Sequence, residues 1–168
     1  NLVVGDTNGA DDIFLRDRVL GFTMRVSVGS MRWDGEQDEA NGRSFSPVIS
    51  ADGRVVAFVS DASNLGHQDT NGVADVFVHV LATGMTARVS FPNGGGQSAG
   101  GIPPMPPMAL SADGRFVAFV SEASDLVAGD GNGAADVFVH DRSTGETRRV
   151  SVSSTRTTGG HAYLRSSA

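Results

Sequence analysis

The chain has 168 residues, 13 positive and 19 negative side chains for a net charge of −6, 22 glycines and no cysteine. Disulfides, thiolate metal sites and cysteine nucleophiles are therefore excluded, and because every positive side chain is an arginine, so are Schiff-base chemistry and a phosphate-loop lysine. The arginines are scattered singly rather than clustered, which argues against a nucleic-acid partner, and no apolar run approaches the roughly 20 residues of a membrane helix.

With 39% apolar residues the chain can build a core, but its apolar stretches are short and separated by glycine-rich turns, so many short strands and no helix of ordinary length are predicted. Residues Asn1 to Ala10 read as the tail of a long loop, followed by strands over Asp12–Asp17 and Thr23–Val28. A polar connector from Gly29 to Ser44 holds the only tryptophan, Trp33, read as a local packing plug. Strands are then expected at Phe45–Ser50, Val55–Ser60, Asp75–Leu81 and Thr86–Phe91. The Asp52-Gly53 pair between the first two predicts a two-residue type I′ hairpin, which needs positive φ at both central residues. A second connector, Pro92 to Met108, is rich in glycine and proline, and the four-strand pattern repeats from Ala109 to Val152. The remainder, 153–168, looks like the start of a further connector.

The repetition is regular. Asp6, Asp69 and Asp130 open the same acidic loop, Phe14, Phe77 and Phe138 sit in the strand after it, and both series step by 63 and then 61 residues. A fixed period marks units that bury their apolar faces only by stacking on neighbours. Val55, Val56, Ala57, Phe58 and Val59 are apolar on both faces of their strand, so that strand must be covered on both sides. The predicted fold is all-β, a propeller-type array of four-stranded antiparallel blades: a half blade (1–28), a blade (29–91), a second blade (92–152) and the start of a connector (153–168). Two and a half blades are too few to close a ring of four to eight, so the chain is expected to be a window on a longer protein or to associate with further copies of itself.

The three loops, Gly5 to Asp12, Gln68 to Asp75 and Gly129 to Asp136, share the pattern Asp-x-Asn-Gly-x-x-Asp. Carboxylate and amide oxygens converging from a short segment bent by glycine suit a hard cation. On that reading Asp6, Asn8, Asp12 and the Ala10 carbonyl hold one calcium ion, Asp69, Asn71, Asp75 and Val73 a second, and Asp130, Asn132, Asp136 and Ala134 a third, each with a structural role. The competing reading is that these Asp and Asn residues only form turns and cap backbone groups. Arg25, Arg88 and Arg149 recur at one repeat position and are expected to pair with carboxylates on adjacent strands or blades. Gly96-Gln97-Ser98-Ala99-Gly100 matches the G-x-S-x-G nucleophile elbow, but no helix follows it, so no catalytic role is assigned. His79 and His140 share a repeat position where the first copy has Arg16, and His67 is read as a solvated loop residue.

Ser50, Asp52, Gly53, Arg54, Ala57, Phe58 and Ser60, matched by Ser111, Asp113, Gly114, Arg115, Ala118, Phe119 and Ser121, give a hairpin that resembles the TolB-type, WD40-like propeller repeats. The acidic loop resembles the calcium loops of FG-GAP propeller repeats, two residues shortened. These resemblances imply a propeller binding scaffold in an extracytoplasmic or secreted bacterial protein, or the propeller half of a prolyl oligopeptidase-like peptidase or a glycosidase. The expected function is thus a non-enzymatic, calcium-stabilised scaffold or interaction module. Its partner is another protein or further copies of itself, and no small-molecule substrate is legible.

Overall fold

A computed structural model describes residues 2–32, 34–66 and 69–152. Trp33, His67, Gln68 and the expected connector over 153–168 lie outside the described residues. Strands β1 (Phe14–Arg16) and β2 (Thr23–Arg25) form a two-stranded sheet; β3 (Ser44–Ile49), β4 (Val55–Ser60), β5 (Asp75–Val80) and β6 (Met85–Arg88) form a four-stranded one. A second four-stranded sheet follows, from β7 (Ala109–Leu110), β8 (Phe116–Ser121), β9 (Asp136–Asp141) and β10 (Glu146–Arg149). Every pairing is antiparallel and every strand lies beside its neighbour in sequence, so each full sheet is a meander.

The sheets stack face to face in chain order, and the doubly apolar strands explain why. All six residues of β4 are buried. Val55, Ala57, Val59, Val76 and Val78 pack with Val117, Phe119 and Phe138 of the third sheet, whereas Val56, Phe58 and Phe77 pack with Ile13 and Val26 of the first. Alternate residues of one strand thus point to opposite neighbours, and β4 has no solvent face. Cross-strand registers pair Phe58 with Phe77 and Phe119 with Phe138, and the rings stack at 6.1 and 5.9 Å between centroids. The innermost turns meet where Ala51 N–H donates to the Ala112 carbonyl at 3.0 Å. This is the all-β, propeller-type arrangement: two full blades and a half blade, in an incomplete ring.

Two local features differ from expectation. In the β3–β4 turn only Gly53 has positive φ (69°); Gly53 N–H donates to the Ser50 carbonyl at 2.9 Å. The turn is therefore not the mirror-image two-residue type, and Asp52 works through its side chain instead. It accepts from Ser50 Oγ at 2.6 Å and from Arg54 N–H at 3.1 Å. The equivalent Gly114 is doubly constrained: its φ is +71°, and a Cβ there would lie 2.7 Å from Val55 Cγ2 of the neighbouring sheet. The first strand of each blade is also less regular than its pattern suggests. Ser46 takes a φ of +52° where β3 shifts register beside Pro47, and β7 has only two residues after the Pro-rich connector.

The connectors run along the outer edge of the next blade. Ser30 Oγ donates to the Thr86 carbonyl at 2.8 Å and accepts from Thr86 N–H at 3.0 Å. Asn93 does the same to Thr147, with 2.8 and 2.7 Å. The bare edges of β6 and β10, otherwise templates for unwanted pairing, are covered in this way. His79 and His140, both buried, hydrogen-bond through Nδ1 to the Thr86 and Thr147 hydroxyls at 2.8 and 3.0 Å.

Candidate functional site

Each acidic loop folds back over the last strand of its own blade, and an arginine from that strand enters the loop. At the first loop Arg25 Nη1 lies 3.7 Å from both Asp6 Oδ1 and Asp12 Oδ2 and pairs with Glu39 Oε1, while Nη2 donates to the Gly5 carbonyl at 3.3 Å. At the second, Arg88 Nη1 lies 3.3 Å from Asp75 Oδ2 and 3.7 Å from Asp69 Oδ1, and donates to Gln97 Oε1; Nη2 donates to the Gly96 carbonyl at 3.0 Å. At the third, Arg149 Nη1 lies 2.6 Å from Asp130 Oδ1 and 3.3 Å from Asp136 Oδ2, with the Gly129 carbonyl at 3.5 Å from Nη2. Six aspartates expected as metal ligands are thus gathered in pairs, as the spacing required. The positive charge they surround in each case is a guanidinium.

A serine completes the unit. Ser27, Ser90 and Ser151 donate Oγ–H to Asp12, Asp75 and Asp136, and accept the N–H of Ile13, Val76 and Val137. The asparagines play a different part from the one a cation needs. Asn8, Asn71 and Asn132 use Oδ1 to accept the N–H of Ala10, Val73 and Ala134, at 2.8, 3.3 and 3.0 Å. These three positions therefore enter through their N–H groups. The asparagine amides in turn donate N–H: Asn8 to Asp12 and the Ala40 carbonyl, Asn71 to the Ser98 carbonyl, Asn132 to Asp136. The contacts with Ala40 and Ser98 tie the first two loops to the connectors that open the next blades.

Burial sets the electrostatics. The side chains of Asp69 and Asp75 are 4% and 1% exposed. Burial pushes both carboxyls up, and repulsion from Asp75 adds to the rise at Asp69, against the opposing pull of Arg88. Asp130 is raised by burial too. At Asp136 burial is outweighed by hydrogen bonds from Ser151 and Asn132 and by the Arg149 charge, which leave it lowered. Glu39 is held at about 2, chiefly by the Thr7 hydroxyl and N–H.

The donor set can be compared with what calcium requires. Asp6, Asp12 and Glu39 offer three carboxylate oxygens within 4.8 Å of one another, and their charge suits a hard cation. Calcium, however, takes six to eight oxygens, and the asparagine oxygens that would add to the count are committed to backbone N–H groups. The guanidinium occupies the centre of each carboxylate pair, so a divalent ion at that point would have to expel it. As arranged, the loops fit arginine better than calcium.

Sequence reasoning left out three contributors: the serine, the connector residue (Glu39 or Gln97), and the loop as the destination of the arginine. A signal for two of them was present. Arginine follows the last loop aspartate by 13 residues and serine by 15 in all three copies. Ser98 of the elbow-like motif is buried; its hydroxyl donates to the Gly100 carbonyl at 2.8 Å and lies 3.4 Å from Asp125 Oδ1. That hydroxyl serves the connector.

No family model matches the chain, and no curated protein does. Solved structures of similar fold include TolB and the tricorn protease. TolB from Acinetobacter baumannii is 19% identical at a TM-score of 0.46, over 84% of this chain and 26% of that one. The tricorn protease is 14% identical at 0.48, over 88% of this chain and 11% of that one. The chain therefore spans about a quarter of the first and about a tenth of the second.

Proposed function

We propose that this chain is a non-enzymatic propeller module of an extracytoplasmic protein, serving as a scaffold for contact with another protein or with further copies of itself. The observation that supports this is the unequal burial of two equivalent faces. Val55, Ala57, Val59, Val76 and Val78 of the middle sheet are buried by the next blade; on the third sheet the same face includes Phe116, Ala118, Val120, Val137 and Val139, all of them exposed or only half-buried. An apolar sheet face of this kind is an interaction surface. The polar clusters, by contrast, face inward and join strands to loops and connectors. Among the described residues no helix is long and apolar enough to cross a membrane.

In this reading the arginines, rather than bound ions, neutralise the loops. Calcium at the first loop is a second reading, favoured by the three converging carboxylates of Asp6, Asp12 and Glu39. Sedimentation velocity over a concentration series tests the scaffold: association that Phe116→Asp abolishes supports it, and a monomer at every concentration that captures no partner overturns it. Thermal melts in calcium and in excess EDTA separate the two cations. Unchanged melting supports arginine, and a lower melt in EDTA supports calcium.

A further inference from the structure

Asparagine is followed by glycine five times, at Asn8, Asn41, Asn71, Asn93 and Asn132. This dipeptide carries its own reaction. The glycine N–H gives its proton to hydroxide, and the nitrogen attacks the asparagine Cγ to close a five-membered succinimide. The Cγ–Nδ2 bond breaks, and ammonia leaves with a proton taken from water. A second water opens the ring to aspartate or isoaspartate, and nothing is oxidised or reduced. Glycine suits the step because it has no Cβ to crowd the ring. Closure brings Cγ onto the glycine nitrogen and swings the amide off its partners, so the hydrogen bonds of each asparagine set its barrier.

Four of the five are held firmly at both ends of the amide. Asn41 donates to Ser63 Oγ and accepts the Ser63 N–H, both at 2.9 Å, and a Cβ on Gly42 would lie 2.9 Å from the Ala62 nitrogen, so that glycine is packed in as well. Asn93 holds the Thr147 carbonyl and N–H at 2.8 and 2.7 Å. Asn8 accepts from Ala10 N–H at 2.8 Å and donates to Asp12 and the Ala40 carbonyl, both at 2.9 Å. Asn132 accepts from Ala134 N–H at 3.0 Å and donates to Asp136 at 2.7 Å.

Asn71 is the exception. Its bonds to the Val73 N–H and the Ser98 carbonyl are both 3.3 Å, beyond the usual range for N–H to oxygen. Its pull on Asp75 is weaker than that of Ser90 or Arg88. Gly72 is exposed, with a φ of +70° and no atom within 4 Å of where a Cβ would stand, so the ring has room to close.

We infer that Asn71 is a site of spontaneous deamidation, the first of the five to react in the folded chain. The product adds a third carboxylate to the loop of Asp69 and Asp75 and removes the amide N–H that reaches Ser98. One loop thereby gains negative charge and loses a tie to its connector, while its two repeat copies stay as they are.

The experiment ages the full 168-residue chain at mildly alkaline pH, cleaves it after arginine and follows each peptide by mass spectrometry. The five asparagines fall in five separate peptides, bounded by Arg16, Arg32, Arg43, Arg54, Arg88, Arg115 and Arg142, so each rate is read alone. Labelling by a protein isoaspartyl methyltransferase identifies the isoaspartate product. Conversion at Asn71 is expected to run about tenfold faster than at Asn8 or Asn132, which give up stronger hydrogen bonds to react. In urea, where no fold holds the amides, the five rates should converge. An unreacted Asn71 overturns the inference, as does an equal or faster rate at any of the other four. The same order of rates in urea also overturns it, because flanking sequence rather than the fold would then set the order.

Discussion

Replacing Arg88 with methionine is the sharpest test of the arginine-centred loop. Methionine keeps much of the buried stem but removes the charge from between Asp69 and Asp75, whose side chains are 4% and 1% exposed, and frees Gln97 Oε1 and the Gly96 carbonyl. Leaving buried charge uncompensated costs about 3–5 kcal/mol. At about 2–4 °C per kcal/mol for a chain of this size, the melting temperature should fall by on the order of 10 °C at neutral pH, read by circular dichroism. The pH dependence supplies an internal check. Burial already raises both carboxyls, and losing Arg88 raises them further. A raised carboxyl contributes stability that is fully present below its unfolded value and lost as pH rises through its folded one. The gap between variant and wild type should therefore narrow on going from pH 7.5 to pH 5, and adding Asp69→Asn and Asp75→Asn should recover much of the loss at neutral pH. A variant that melts within about 1 °C of wild type, or a gap that widens in acid, refutes the reasoning.

The other predictions use substitutions away from Arg88. His79 and His140 are lowered by burial, so the folded chain prefers them neutral; their contribution is present above the ordinary value of 6.5 and is lost as pH falls below it toward the folded value. Asp69 and Asp75 act in the opposite sense. A melting temperature that drops from pH 7.5 to 5.5 in wild type, but not in a His79→Gln, His140→Gln double variant, is the expected pattern. Gly100→Ala should destabilise by about 1–3 kcal/mol in urea, because its Cβ would sit 2.8 Å from the Ala123 backbone; Gly94→Ala, with open space around it, should stay within about 0.5 kcal/mol. Ser90→Ala leaves the Val76 N–H without its acceptor and removes a donor from Asp75, and should cost about 1–3 kcal/mol by the same assay.

Much of the architecture was legible because the repeat is written into residues with one physical job each. The two-sided apolarity of Val55 to Val59 required a covered sheet, and Phe14, Phe77 and Phe138 marked the same strand in each copy. The turn at Asp52-Gly53 was misjudged because the dipeptide does not reveal which of its residues takes positive φ; the Ser50 hydroxyl, which reaches Asp52 and two backbone N–H groups, decides it. The aspartate pairing within each loop followed from spacing alone. The identity of the central charge did not, because Arg88 lies 13 residues beyond Asp75 and reaches it only when β5 and β6 pair. Short-range patterns show ligand chemistry within a loop, while a counter-ion from across a hairpin depends on register.

The seam made by Ser30 on Thr86 and Asn93 on Thr147 constrains how this architecture can be cut or extended. Each blade carries the clasp for its own rim in the connector that opens it, so a boundary between Val28 and Gly29 or between Phe91 and Pro92 keeps strand and clasp together, and a cut farther into the blade leaves a raw strand on one product and a dangling clasp on the other. Units that are shortened, shuffled or fused should therefore remain soluble when the cut falls just ahead of a connector, and should clump when it falls within the long loop, which parts Ser30 from Thr86.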